Sequence, residues 1–302
     1  MSERSAHSGI LPPRPVLGYA AMLGNTVLIP IMAVAIKFLA EADFTTIQML
    51  GWRSWLVILV LLPFLFFKKF RQELLAADLK AHMVHATFSI CSMACFYFAL
   101  RSLPIVTVTS INFTTPTIAM ILTSLLYKDK VSEQGWLALF LGFSGAMIIL
   151  KPDVSGINFD ALVVLIGSFL AACTNLAIRR MPARSSNFAV IFYLTLSGII
   201  FFGLPSIADF RQPMGDQWIW VLLLGVVALG VHSLIILAYR FASSMLIGAL
   251  DYLRIVWALS FGYFIFNETL NLADIFGIIM ICASGLLSVN SSRKAVIKPT
   301  AM

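Results

Sequence analysis

The sequence predicts an all-α polytopic membrane protein, and three observations support this fold class. The 302-residue chain is 60% hydrophobic and only 12% charged, and its mean hydropathy is +0.94. A soluble domain carries about 25% charged residues, so this chain lacks the polar surface that a water-exposed fold needs. The apolar residues also form long stretches with short connections, and the basic residues concentrate in alternate connections.

The apolar stretches predict ten transmembrane helices, since a spanning helix needs about 20 predominantly apolar residues. Division at charge clusters and at connections with Pro or Gly places the spans at 16–40, 44–67, 81–101, 105–127, 135–150, 159–178, 187–207, 216–239, 245–266 and 272–289. The connections are too short for an extramembrane domain. The first span is too long for a cleavable signal peptide and lacks a small-residue cleavage site, so we expect it to stay in the membrane.

The distribution of Lys and Arg predicts the orientation, because cytoplasmic connections carry an excess of both. With ten spans and a cytoplasmic N-terminus, fifteen of the 21 basic residues lie inside and four lie outside. The remaining two, Arg53 and Arg254, fall within spans. Both termini are therefore predicted to be cytoplasmic. The formal net charge of +7 reflects this topology, so no nucleic-acid partner is expected.

An internal repeat indicates that the ten helices form two halves of five. At an offset of 139 residues, 99–101 (Ala-Leu-Arg) aligns with 238–240 (Ala-Tyr-Arg), 112–113 (Asn-Phe) with 251–252 (Asp-Tyr), and Asp129 with Glu268. One inserted residue then brings 144–145 onto 284–285, both Ser-Gly. Chance similarity between apolar helices is the alternative, and the matched polar positions argue against it. Because five is odd, the second half (153–302) is predicted to be inverted relative to the first (1–152), with a substrate site near the midplane between them.

The segment 96–152 contains a pattern of spaced residues. The pattern consists of an aromatic residue before 99–101 (Ala-Leu-Arg), the Leu103-Pro104 turn, Asn112-Phe113 with Pro116, the acidic Asp129, Trp136, and 142–145 (Gly-Phe-Ser-Gly). This pattern resembles the repeat of the drug/metabolite transporter superfamily, EamA type, and 236–288 resembles it more weakly. The chain departs from the family at Lys128-Asp129, where a Gly-Glu pair is usual. Asp129 can supply the acidic charge of the family pattern, whereas Lys128 cannot supply the contact of the glycine.

The resemblance implies a fold of ten helices and the transport of a metabolite. Family members export or import amino acids, S-adenosylmethionine, sugars, nucleotide sugars or other metabolites. The chain is similar to bacterial amino-acid exporters, although the family does not fix the substrate.

Three ionisable residues lie clearly within predicted spans, namely Arg53, Asp251 and Arg254. A charge in the membrane interior is costly and marks a candidate functional site. Asp251 and Arg254 are three residues apart on one helical face, so they can pair directly. One interpretation is that Arg53 or Arg254 binds a substrate carboxylate while Asp251 binds an ammonium group or a proton. The alternatives are a structural ion pair in the ninth span and an Arg53 side chain that snorkels to the outer interface.

Amide and aromatic side chains complete the predicted substrate site. They are Asn25, Tyr97, Phe98, Asn112, Phe113, Tyr252 and Trp257. Aromatic rings suit an amphiphilic metabolite through stacking and apolar contact, and core packing is the alternative for each of them. The amides either line the cavity or cross-link helices. His232 is a candidate for proton coupling, with a hydrogen-bonded histidine of the bundle as its alternative.

These observations predict a gradient-driven transporter of a small metabolite that works by alternating access as a monomer in the bacterial inner membrane. Amino-acid export is the first expectation, and a carrier of S-adenosylmethionine or another nucleoside- or sugar-type metabolite is the second. The sequence has no G-x-x-x-x-G-K-[ST] loop for ATP. An intramembrane enzyme would need a catalytic cluster that the spans do not contain, and a channel would normally need oligomerisation. The expected partners are the substrate and the lipid bilayer, with no cofactor or metal.

Overall fold

The computed structural model of the protein describes residues 15–127, 133–150, 158–179, 186–241, 247 and 250–297. All regular secondary structure in these ranges is helical, which confirms the all-α fold class. The α-helices of the described ranges are α1 (Pro15–Glu41), α2 (Thr46–Leu61), α3 (Lys68–Leu75), α4 (Leu79–Ala99), α5 (Ile105–Asn112), α6 (Thr115–Tyr127), α7 (Glu133–Leu150), α8 (Phe159–Arg179), α9 (Asn187–Gly198), α10 (Gln217–Phe241), α11 (Arg254–Phe266) and α12 (Leu272–Ile297).

Several of these helices are long and apolar enough to cross a membrane. Six stretches meet this condition by length and composition: Val16–Glu41, Thr46–Phe66, Ile105–Leu126, Phe159–Ile178, Asn187–Ile207 and Gln217–Ala238. Three shorter apolar helices lie at Trp136–Ile148, Arg254–Phe266 and Leu272–Ser284. Each of the ten predicted spans overlaps a helix of the described ranges. The chain is therefore a multi-pass membrane protein, while the number of crossings stays a prediction.

The second and seventh predicted spans each end in a change of helix type. α2 continues into the 3₁₀ turn Leu62–Phe66, and α9 continues into the π-helical turn Ile199–Gly203. The connection after the second span then folds into α3, a short helix with three basic residues. Its Phe70 packs against Phe188 at the start of α9, with the ring centroids 4.7 Å apart. α3 is thereby held against the bundle.

Small residues allow helices of the bundle to approach one another closely, as is common in membranes. α7 lies along α12, and a Cβ on Gly145 would be 2.7 Å from the carbonyl oxygen of Gly277. α4 lies along α8, where Ser92 Oγ donates to the carbonyl oxygen of Gly167 at 2.8 Å. α1 lies along α10, α2 packs against α9 and α10, and α5 packs against α8 and α11.

A buried ion pair joins α1, α5 and α11. Lys37 Nζ of α1 lies 2.6 Å from Glu268 Oε1, and the two side chains are 15% and 8% exposed. Glu268 Oε2 accepts a hydrogen bond from the Ile105 amide at 2.9 Å, so the carboxylate caps the positive end of α5. Asn267 ends α11 in the left-handed conformation, with φ of 50°, and turns the chain so that the Glu268 amide donates to the carbonyl oxygen of Gly262.

Loss of the Glu268 charge is expected to destabilise the protein. In Glu268→Gln the side chain keeps an acceptor for the Ile105 amide but leaves Lys37 buried without a counter-charge. Removing one partner of a buried ion pair costs about 3–5 kcal/mol. The thermal midpoint of the detergent-purified protein should therefore fall clearly, as followed by tryptophan fluorescence.

A matched control is Glu41→Gln, at the exposed end of α1, which should leave the midpoint unchanged. The double variant Lys37→Met with Glu268→Gln should recover part of the loss, because no unpaired cation remains. Equal midpoints for wild type and Glu268→Gln would contradict the structural role of the pair.

Candidate substrate site

The fourth predicted span is interrupted halfway along its length. α5 ends at Asn112 and α6 begins at Thr115, with a turn at Phe113 and Thr114 between them. The Thr114 amide donates to the carbonyl oxygen of Ile111 at 3.0 Å, a three-residue separation that replaces the α-helical pattern. Pro116 has no N–H to offer the Asn112 carbonyl four residues earlier. The span is therefore fully broken between two half-helices.

The ninth predicted span is interrupted at the equivalent place. A turn at Tyr252 and Leu253 precedes Arg254, the first residue of α11. The Leu253 amide donates to the carbonyl oxygen of Leu250 at 3.0 Å, again across three residues. At the repeat offset of 139, Tyr252 corresponds to Phe113. Interrupted helices of this kind form the substrate and ion sites of many secondary transporters.

The two interruptions face each other, and we call the residues that meet there the crossover site. Its members are Asn112, Phe113, Asp251, Tyr252 and Arg254. The Phe113 and Tyr252 rings pack with their centroids 4.6 Å apart and their planes 30° apart. The structure therefore brings together five of the ten residues that the sequence predicts for substrate binding.

Arg254 connects the two interruptions. Its Nη2 donates to Asn112 Oδ1 at 3.1 Å and lies 3.7 Å from Asp251 Oδ2. The guanidinium carbon lies 4.7 Å from the centroid of the Phe113 ring, within the range of a cation–π contact. The predicted pairing of Asp251 with Arg254 is present, and Asn112 is a cross-link between the halves. The Asp251 side chain is 31% exposed, so part of its carboxylate remains open to another group.

Arg53 lies apart from the crossover site, on α2. A capping box fixes the start of this helix, where the Thr45 amide donates to Gln48 Oε1 at 2.9 Å. Arg53 is only 4% exposed, so its side chain points into the bundle and does not snorkel to the surface. Among the described residues, no acceptor bonds its Nε and no carboxylate pairs with it.

The other predicted site residues differ in burial. Asn25 and Tyr97 are 1% and 2% exposed, and neither Asn25 Oδ1 nor the Tyr97 hydroxyl has a hydrogen-bond partner in the described ranges. Phe98 is 38% exposed and packs edge-on against Phe159. Trp257 is 39% exposed and packs against Phe261 of its own helix. The structure thus places Asn25 and Tyr97 inside the bundle and Phe98 and Trp257 outside the crossover site.

Two pockets lie between helices of the described ranges. One, of about 210 Å³, lies between α9 and α10, and its lining includes Asn187 and Ser233. The other, of about 110 Å³, is apolar and lies between α6, α7 and α8. Neither is lined by a predicted site residue.

Sequence analysis identified Glu268 only as the repeat partner of Asp129 and assigned no partner to Lys37. Asp129 lies outside the described residues. The pairing of Lys37 with Glu268 joins positions far apart in the chain. The one available signal was an acidic residue in the same relative place of each repeat.

A bundle of apolar helices in which two interrupted helices meet at an arginine, a carboxylate and aromatic rings is the architecture of a membrane transport protein. The chain belongs to the EamA-like transporter family, whose model matches it twice, over residues 16–151 and 158–290. This confirms the family resemblance of the sequence. It also supports the expectation that the protein is a transporter and not an enzyme.

Relatives of the chain are named for different metabolites. It is 27% identical over 215 residues to the riboflavin transporter of Vibrio cholerae serotype O1, covering 70% of this chain and 72% of that protein. It is 23% identical over 241 residues to the S-adenosylmethionine uptake transporter of Rickettsia bellii, covering 80% and 82%. A solved crystal structure of a protein covers 93% of this chain and 97% of its own, with 15% identity and a TM-score of 0.55, and has the same fold.

The hydrogen bond from Arg254 to Asn112 is expected to contribute to stability. Asn112→Leu removes the acceptor, and a hydrogen bond to a charged group contributes about 1.5–3 kcal/mol. Asn112→Asp keeps an acceptor and adds a counter-charge, so its thermal midpoint should stay near that of wild type. The measurement is thermal unfolding of both variants in one detergent.

Asn175→Leu, at an exposed position of α8, is the matched control and should have little effect. If Asn112→Leu unfolds at the wild-type temperature, the cross-link between the two interruptions does not contribute to stability.

Proposed function

We propose that the protein is a secondary transporter that moves a small metabolite bearing an α-amino-acid group across the membrane by alternating access. The observation that supports this most directly is the crossover site, where two interrupted helices place an ion pair and two stacked rings together. Asp251 would meet the substrate ammonium group through the exposed part of its carboxylate. Phe113 and Tyr252 would bound the apolar part of the substrate.

The proposed transport unit consists of ten spans in two inverted halves, 1–152 and 153–302. Two matches to one family model support a duplicated unit. Helix packing has the same order in both halves: α1 on α10 corresponds to α8 on α4, and α2 on α10 corresponds to α9 on α4. The two interruptions at equivalent positions add to this. An odd number of spans in each unit then inverts the second half, and the even total puts both termini on one side of the membrane. The distribution of Lys and Arg favours the cytoplasm as that side.

Alternating access follows physically from such an inverted pair. Each half can adopt the conformation of the other, and the exchange moves the opening from one membrane face to the opposite face. The sequence has no ATP-binding loop, so the driving force is the gradient of the substrate or of a coupled ion. A monomer contains both halves and needs no cofactor. The bacterial relatives favour the inner membrane as its location.

Amino acids are the first candidate substrates, because they are small and carry both an ammonium group and a carboxylate. S-adenosylmethionine is the second, since it combines an amino-acid group with an aromatic base that the Phe113 and Tyr252 rings can contact. The name of the Rickettsia bellii relative favours this second candidate. That relative is named for uptake, whereas the sequence analysis predicts export for this chain. The direction of transport therefore stays a prediction.

Uptake into proteoliposomes tests the proposal. Labelled L-amino acids, S-adenosylmethionine and riboflavin are offered to the full-length protein, with and without an imposed pH gradient. Saturable uptake of a compound with an amino-acid group is expected, and Asp251→Asn should reduce it about tenfold or more, because it removes the charge that the ammonium group requires.

Asp216→Asn, in an exposed loop before α10, is the matched control and should transport normally. Undiminished uptake by Asp251→Asn would remove this residue from the site. Uptake of riboflavin alone by folded protein would contradict the amino-acid group as the feature that is recognised.

A further inference from the structure

Arg53 and Arg254 are both buried arginines, but their charges are compensated differently. Arg254 has the Asp251 carboxylate, the Asn112 carbonyl oxygen and the Phe113 ring around its guanidinium group. Arg53 is more deeply buried, at 4% exposed against 9%, yet no group of the described residues forms a hydrogen bond or an ion pair with it. An arginine stays protonated in a protein, so Arg53 is a buried positive charge that no carboxylate of the described residues compensates.

The neighbours of Arg53 bring no negative charge. Among the described residues, no carboxylate forms an ion pair with it. The Tyr97 hydroxyl of α4 is likewise buried without a hydrogen-bond partner in the described ranges. A buried guanidinium group without a counter-charge is a binding group for an oxyanion.

Close packing holds α2 in an orientation that points Arg53 into the helix bundle. Ser54 Oγ lies in the space that a Cβ on Gly198 would occupy, and Ser206 lies in the same way against Gly51. These contacts seat α2 on α9 and on the turn that follows it. A π-helical turn, Ile199–Gly203, continues α9 at this place, and such turns often occur at functional sites. A fixed helix gives Arg53 a fixed position, which favours ligand binding.

We propose that Arg53 binds the carboxylate of the transported metabolite. The charge of Arg254 is already compensated by groups of the protein. The anionic group of the ligand is therefore assigned to Arg53, whose charge is not. One guanidinium group neutralises one carboxylate, whereas a phosphate dianion would leave an uncompensated negative charge. This assignment rests on the proposed function and refines it, because it names the residue that binds the anionic group of the substrate.

The first test compares Arg53→Gln with Arg254→Gln, which is the same change at the compensated arginine. The full-length variants are purified and unfolded by heat without substrate. Arg53→Gln should unfold at or above the wild-type temperature, because it removes an unpaired buried charge. Arg254→Gln should unfold at a lower temperature. If the midpoint of Arg53→Gln falls as far as that of Arg254→Gln, Arg53 is a structural residue and the proposal is overturned.

The second test compares a carboxylate with its amide in proteoliposomes. L-phenylalanine and L-phenylalaninamide share the ring and the ammonium group, and only the acid has a carboxylate. Arg53→Gln should raise the KM for the acid about 10- to 100-fold, as expected for the loss of a charged hydrogen bond, and should leave uptake of the amide unchanged. Arg53→Lys should recover part of the affinity, since the charge remains while the paired donors of the guanidinium group are lost.

The outcomes separate this inference from the proposed function. Wild-type uptake of the amide in preference to the acid would keep the transport function and overturn the role of Arg53. An equal loss of acid and amide uptake in Arg53→Gln would overturn it as well. If inorganic phosphate inhibits uptake as strongly as L-phenylalanine does, the group that Arg53 binds is a phosphate, and the carboxylate assignment is overturned. If the wild type takes up neither these compounds nor any member of the larger panel, the proposed function fails, and the carboxylate assignment fails with it.

Discussion

The contact on which this structure depends is the hydrogen bond from Arg254 to Asn112, because it closes two breaks in the membrane-spanning helices at once. A break exposes backbone groups and a charge in a region without water, and each needs a partner from the protein. The chain solves this by setting the two breaks against each other, with Phe113 stacked on Tyr252 and Arg254 spanning the gap. Each of these polar residues would be costly to bury alone in the membrane. They lie together at the crossover site, where they satisfy one another.

The ion pair of Lys37 and Glu268 fixes the opposite ends of the same two interrupted helices. Glu268 follows α11 and caps α5, so one carboxylate controls the position of a half-helix from each half of the chain. α5 and α11 are therefore tied twice, at their breaks and at this carboxylate. If the halves exchange conformations as proposed, this contact has to open and reform. Its partial exposure, through the 15% exposed Lys37 side chain, leaves a route for water when it does.

Much of the fold could be predicted from the sequence, because apolar length and the distribution of basic residues act locally. The break at Phe113 had a local signal in Pro116, whereas the break at Tyr252 had none except the repeat offset. The burial of Tyr97 beside the exposed Phe98 could not be predicted, since α4 is apolar on all faces and adjacent residues differ only by the rotation of the helix. The contact between Arg254 and Asn112 joins residues 142 positions apart, a distance at which sequence patterns predict no pairing.

The difference between the two arginines has a consequence for the transport cycle. Without substrate, the interior holds the compensated Arg254 and the uncompensated Arg53, so the empty site is positive and attracts molecules that bear a carboxylate. Under the proposed assignment, a zwitterionic substrate would bring the negative charge of its carboxylate to Arg53. The net charge of the interior would stay the same, but Arg53 would gain a counter-charge, and a paired buried charge has a lower electrostatic cost than an unpaired one. Charge compensation by the substrate would thereby favour the exchange of conformations when the site is occupied over the exchange when it is empty.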